Sequence, residues 1–165
     1  MITRTSKLLL ISALALFYTL LVFNNLTDFG SNYDFVRHVL SMDTTFPASH
    51  AHWRALPFPA AWLAFYWSII LWEAASAGLL WWGAARLAGA LRMPAAQFQS
   101  AKRMAIAALT VSALMWLVAF LTVGGEWFLM WQSNIWNGQQ EAFRMFVVVG
   151  IVILIVLHPD TELQQ

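Results

Sequence analysis

Four stretches of this sequence are too long and too apolar to be dissolved in water, and they fix the fold class first. A helix needs about 20 apolar residues to cross roughly 30 Å of hydrocarbon, and the stretches fall at about 8–25, 60–84, 104–123 and 140–157. The first reads LLLISALALFYTLLVF. The fourth is strictly apolar only from Met145 to Leu157, starts near Gln139 or Gln140 with Arg144 inside its outward end, and stops before Pro159. Within lipid every backbone polar group must be satisfied internally, which selects helices here. The expected fold is therefore an all-α membrane protein, a single domain over 1–165. It has four transmembrane helices, with two short interfacial helices in outward loops 26–58 and 124–139. Charged residues make up 10% of the chain, against about 25% in soluble domains, which agrees.

Arg4 and Lys7 precede the first span as a signal peptide's basic region would, but NNLTDFGS follows with no small-residue cleavage site, so an uncleaved anchor is expected. Of nine Lys and Arg, six (Arg4, Lys7, Arg86, Arg92, Lys102 and Arg103) lie in the N-terminus and middle loop. Basic loops stay in the cytoplasm, so a bacterial inner-membrane protein with both termini cytoplasmic is expected. A net charge of +1 without a basic block offers no nucleic-acid footprint. The absence of Cys excludes disulfides, thiolate metal sites and a Cys nucleophile.

The outward loops hold the unusual chemistry. In the first, Ser31 or Asn32 is expected to cap a short helix running to about Met42. Phe35, Val36, Val39 and Leu40 would form its apolar face, laid on the membrane interface. TTFPASHAH then reads as irregular. In the second, Gly124 and Gly125 are expected to turn the chain out of the third span, Trp127, Trp131 and Trp136 supply an aromatic amphipathic segment, and Asn137-Gly138 turns it back. Both halves thus read span, interfacial segment, span.

Glu73 is the acid inside a span, where insertion scales put its cost at roughly 3 kcal/mol. One reading is structural: a hydrogen bond to Ser112, Ser12 or Tyr18. The other is a proton or cation relay, or an anchor for a lipid, quinone or ion between helices; a proton path needs several groups, and this is a single acid. Asp34 and His38 share a helix face, and His50 and His52 are two apart, so His38, His50 and His52 with Met42 and Met130 are the residues a copper or haem site would draw on. No established ligand spacing is present, so no metal and no cofactor are predicted, bound lipid or quinone aside. A salt-bridge network among Asp28, Asp34, Asp43, Arg37 and Arg54 accounts for the same residues. Glu126, Glu141 and Arg144 are expected to pin the outward loops together. Ala74-x-x-x-Gly78 and the Ala108–Ser112 pair predict close packing of the second and third spans.

The segments NLTDFGSNYDFVRHVLSMDTTFP, HWRALP and GGEWFLMWQSNIWNGQQEAFR carry a resemblance over nearly the whole chain. It resembles a bacterial family of predicted small integral membrane proteins defined only as a domain of unknown function. The resemblance implies a four-helix membrane architecture and no reaction, substrate or cofactor. It directs attention to Asp28, Asn32, Arg37, His38, Asp43, Trp53, Arg54, Glu126, Trp131, Gln132, Asn137 and Arg144 on the outward face. With no catalytic set, the expected role is an accessory or scaffold subunit bound to other integral membrane subunits and to lipid. The alternatives are a small transporter or ligand binder using Glu73, or an outward metal or haem redox protein.

Overall fold

A stretch with no Gly or Pro, apolar through most of Leu8–Phe23, carries helix α1 from Ile2 to Thr27. The computed structural model describes residues 1–161, and these contain helices and turns but no strand. Asp28 (φ −119°, ψ 58°) breaks the run, and α2 (Phe29–Ser41) starts at once. Pro59 opens α3 (Pro59–Ala90) at a first-turn position, where its fixed φ is already helical. A short turn at Pro94 leads into α4 (Ala95–Leu114), which continues without a break as a π-helical segment, Met115–Trp127. A 3-10 turn at Met130–Gln132 precedes α5 (Gln139–Leu157). Four helical units are long and apolar enough to cross a membrane: Ile2–Thr27, Pro59–Ala90, Ala95–Trp127 and Gln139–Leu157.

The expected spans thus lie inside longer helices. At about 1.5 Å per residue α3 is roughly 48 Å long, more than the hydrocarbon thickness, so it tilts or extends beyond the lipid. The middle loop shrinks to one turn, and Arg86, Lys102 and Arg103 stand on helix. α3 packs between α1 and α4, and α5 closes against α4 and the π segment. One core cluster fills the bundle, around Ile11, Tyr18, Leu80, Leu87, Phe98, Leu109 and Val149. A second, around Val39, Leu40, Met42, Tyr66, Ile70 and Met130, joins α2 and the outward loops to the end of α3.

Three local expectations are corrected. Neither Ser31 nor Asn32 caps α2, which begins at Phe29 with no side-chain cap; Asn32 bonds to Asn25 instead. Gly124 and Gly125 do not turn the chain out of the membrane, since the helix runs through both to Trp127. Their bare Cα atoms serve close approach: a Cβ on Gly125 would stand 2.5 Å from Gln139 Nε2, and one on Gly124 3.4 Å from Met130. Ala74 and Gly78 face away from the bundle, with nothing within 4 Å of a Cβ at Gly78. The tight α3–α4 contact is at Gly83, where a Cβ would meet Ala105 Cα at 2.9 Å. Ala108 and Ser112 are fully buried as expected.

Candidate functional site

Antiparallel packing of α1 on α3 brings Asn25, near the end of α1, level with Glu73 at the middle of α3. Asn25 Nδ2 donates to Glu73 Oε2 at 2.6 Å. Asn32 Nδ2 donates to Asn25 Oδ1 at 2.7 Å, and the Tyr66 hydroxyl reaches Asn25 O at 3.2 Å and Oδ1 at 3.3 Å. Asn25 is 6% and Glu73 3% exposed, while Asn32 is exposed. The set ties α1, α2 and α3 together where the bundle meets its outward cap. Two of the expected partners of Glu73 bond elsewhere: Ser112 Oγ donates to Ala108 O in its own helix. The Tyr18 hydroxyl accepts from Trp116 Nε1 at 2.7 Å and points to Ser112 O at 3.4 Å. Asn25 was the missed residue. Its place at the very end of an apolar run was the signal, since an amide there needs a partner.

The outward cap is assembled by contacts between the two loops. Phe46 N donates to Gln132 Oε1 at 3.0 Å, and Thr44 Oγ1 donates to Ser133 Oγ at 2.9 Å. Ser133 Oγ also accepts from the amides of Ile135 and Trp136, which shapes the turn. His38 stacks flat on Trp136 at 4.6 Å. Arg37 Nη2 donates to His38 Nε2, so the ring proton sits on Nδ1 and is donated to Asp43 at 2.8–2.9 Å. Arg37 also pairs with Asp34 at 3.5 Å. Asn137 Oδ1 accepts from the amide of Gln139, the first residue of α5.

The expected five-member network is therefore smaller: Asp28 and Arg54 stand outside the Asp34–Arg37–His38–Asp43 group. Glu141 and Arg144 form a pair 3.9 Å apart on the exposed face of α5 and pin no loop, and Glu126 is exposed. His38 and His52 do not converge. His52 Nε2 is bound to Thr45 Oγ1 at 2.9 Å, and His50 is exposed. No group of three or more His, Cys, Asp or Glu suited to a metal occurs among the described residues.

Arg54 has a different setting. Its guanidinium lies 5.4 Å over the Trp53 ring and 4.9 Å over that of Trp127, and Nη1 donates to Trp127 O at 3.3 Å. Arg54 Nε is buried without a hydrogen bond, and no carboxylate pairs with the guanidinium among the described residues. An apolar groove of about 190 Å³, which includes Phe128 next to the Trp127 that Arg54 bonds, runs between α2, α3 and the π segment. It is lined by Val39, Phe65, Ile69, Trp72, Val118 and Phe128, among others.

At the opposite end, three basic side chains that sequence alone reads as loop charges are buried. Lys7 Nζ and Lys102 Nζ both bond Asp160 Oδ2, at 2.7 and 2.9 Å, and both donate to His158 O. Arg4 donates to Leu91 O, Met93 O and Thr161 O and lies 4.8 Å over Phe98. Burial alone would raise the Asp160 carboxyl, but the two ammonium groups outweigh it and hold it below the usual carboxylate range. This clamp closes the chain end, α1 and the α3–α4 turn together, so both ends of the described chain lie at one end of the bundle.

The sequence profile of the family described as "Predicted small integral membrane protein (DUF2165)" matches residues 3–159. No curated protein and no solved structure matches.

Proposed function

This chain belongs to the family of predicted small integral membrane proteins, and from that premise we propose that it is a non-catalytic accessory or scaffold subunit of a larger complex in a bacterial inner membrane. The observation that carries this reading is the open Ala74–Gly78 face of α3. A small-xxx-small pair lets another helix approach closely, yet nothing in the bundle comes within 4 Å of a Cβ at Gly78. The intramembrane polar chemistry points the same way. Glu73, Tyr18 and Trp116 each bond within the bundle and build no reacting constellation. Exposed Phe46, Trp131 and Ile135 on the ordered cap add apolar surface for a partner.

Extraction in a gentle detergent followed by native mass analysis tests the reading. The wild type should carry at least one further integral membrane subunit, and Gly78→Leu should release it without lowering the melting temperature. A lone chain at every detergent strength overturns the reading. The excess of Lys and Arg at the Arg4–Arg92–Arg103 end supports cytoplasmic termini. Topology is set by such residues during insertion, before Arg4, Lys7 and Lys102 are buried.

A further inference from the structure

We propose that Arg54 and the apolar groove walled by Phe128 and Leu40 form a site for one anionic phospholipid, with an acyl segment in the groove and the phosphate on the guanidinium. The two halves of the site are joined covalently and by hydrogen bonds. Arg54 bonds the carbonyl of Trp127, whose neighbour Phe128 lines the groove. Leu56 N, two residues beyond Arg54, bonds the carbonyl of Leu40 in the groove wall.

The groove fits a lipid tail on three counts. Its lining is almost wholly apolar, its rim residues Phe65, Ser68 and Val118 are exposed on membrane-crossing helices, and its volume of about 190 Å³ exceeds the roughly 150 Å³ that holds benzene in an engineered apolar cavity. One wall is the π-helical segment, and π-helical turns inside α-helices often mark functional sites. The headgroup half follows from charge. Arg54 lies against the edge-to-face pair of Trp53 and Trp127, with no acidic partner among the described residues. The planar fork of a guanidinium matches a phosphate diester. A zwitterionic choline headgroup would bring a second cation beside Arg54, so a net negative lipid is selected. The site does not depend on the accessory-subunit reading.

The test is native mass spectrometry of the full chain released from vesicles containing equal amounts of phosphatidylglycerol and phosphatidylcholine with identical acyl chains. The wild type should retain one phosphatidylglycerol, about tenfold over phosphatidylcholine, as a charge-assisted hydrogen bond implies. Arg54→Gln should bring the ratio near one while some lipid of either kind remains, and Arg54→Lys should recover part of the preference. Ala119→Phe, which fills the groove, should remove both lipids. A wild-type ratio near one, or an unchanged ratio in a folded Arg54→Gln, overturns the proposal. So does undiminished lipid in an Ala119→Phe chain that melts like the wild type. Should Ala119→Phe not fold, the Arg54 series decides alone.

Discussion

Asp160 is the residue on which the clamp at the α3–α4 turn depends, because one carboxylate oxygen accepts from two buried ammonium groups. Removing it leaves the buried Lys7 and Lys102 ammonium groups without a carboxylate partner among the described residues. Breaking one side of a buried ion pair costs about 3–5 kcal/mol, so Asp160→Asn should destabilise by roughly 3 kcal/mol, read as a drop in melting temperature in detergent. The folded carboxyl lies below its ordinary value of 3.8. Its stabilising contribution is therefore complete above that value and is lost as pH falls below about 4 through the folded value. A melting temperature that falls on acidification in the wild type, and falls less in Asp160→Asn, is the expected result. Glu73 is held as a hydrogen-bond acceptor, which an amide oxygen can replace. Glu73→Gln should keep the wild-type melting temperature, and Glu73→Ala, which strands the buried Asn25 amide, should lose about 1–3 kcal/mol. Equal loss in both variants would point to a need for the carboxyl itself. Glu73 was legible in the sequence as the acid inside a span. Its partner was not, because helix pairing brings residue 25 to residue 73 and no local spacing encodes that.

Among the elements, α3 and α4 approach backbone to backbone at Gly83. The backbone contact at Gly83 leaves no room for a side chain: Gly83→Val would drive its Cβ into Ala105 backbone and should cost about 1–3 kcal/mol as the helices separate. Gly78→Leu should be neutral to stability. A thermal melt of each variant checks the contrast, and equal sensitivity would contradict the packing described. The sequence offers both glycines on the same apolar helix, and nearest-neighbour spacing favours the Ala74–Gly78 pair. Which face meets α4 is a tertiary matter, decided by the rotation that buries Glu73, Ser76, Leu80, Gly83 and Leu87 together. For the same reason Gly124 and Gly125 read as a turn. Glycine relaxes the backbone and also admits close neighbours, and only the position of Gln139 and Met130 separates the two uses. The four spans themselves were legible because hydrophobic length is a property of the local chain.

At the scale of the molecule, two polar assemblies stand at opposite ends of an apolar bundle. The Asp160 clamp and the cap built from the two long loops each knit several helices, while the helices between them expose apolar side chains such as Leu9, Leu20, Leu71, Ile151 and Leu154. That distribution suits hydrocarbon around the middle and water or headgroups at the ends. The outward loops came from sequence as the place where polar chemistry gathers. The burial of Arg4, Lys7 and Lys102 did not, since charge counts alone do not distinguish a solvated loop from a clamp around backbone carbonyls. The chain has no cysteine, so single-cysteine variants report topology without a background. Trp53→Cys and Ile135→Cys probe the two outward loops, and Arg92→Cys probes the α3–α4 turn; all three sites are exposed. In intact cells a membrane-impermeant thiol reagent should label the first two and reach Arg92→Cys only after lysis. Labelling that puts Trp53→Cys and Ile135→Cys on opposite sides of the membrane, or Arg92→Cys on their side, would contradict four crossings.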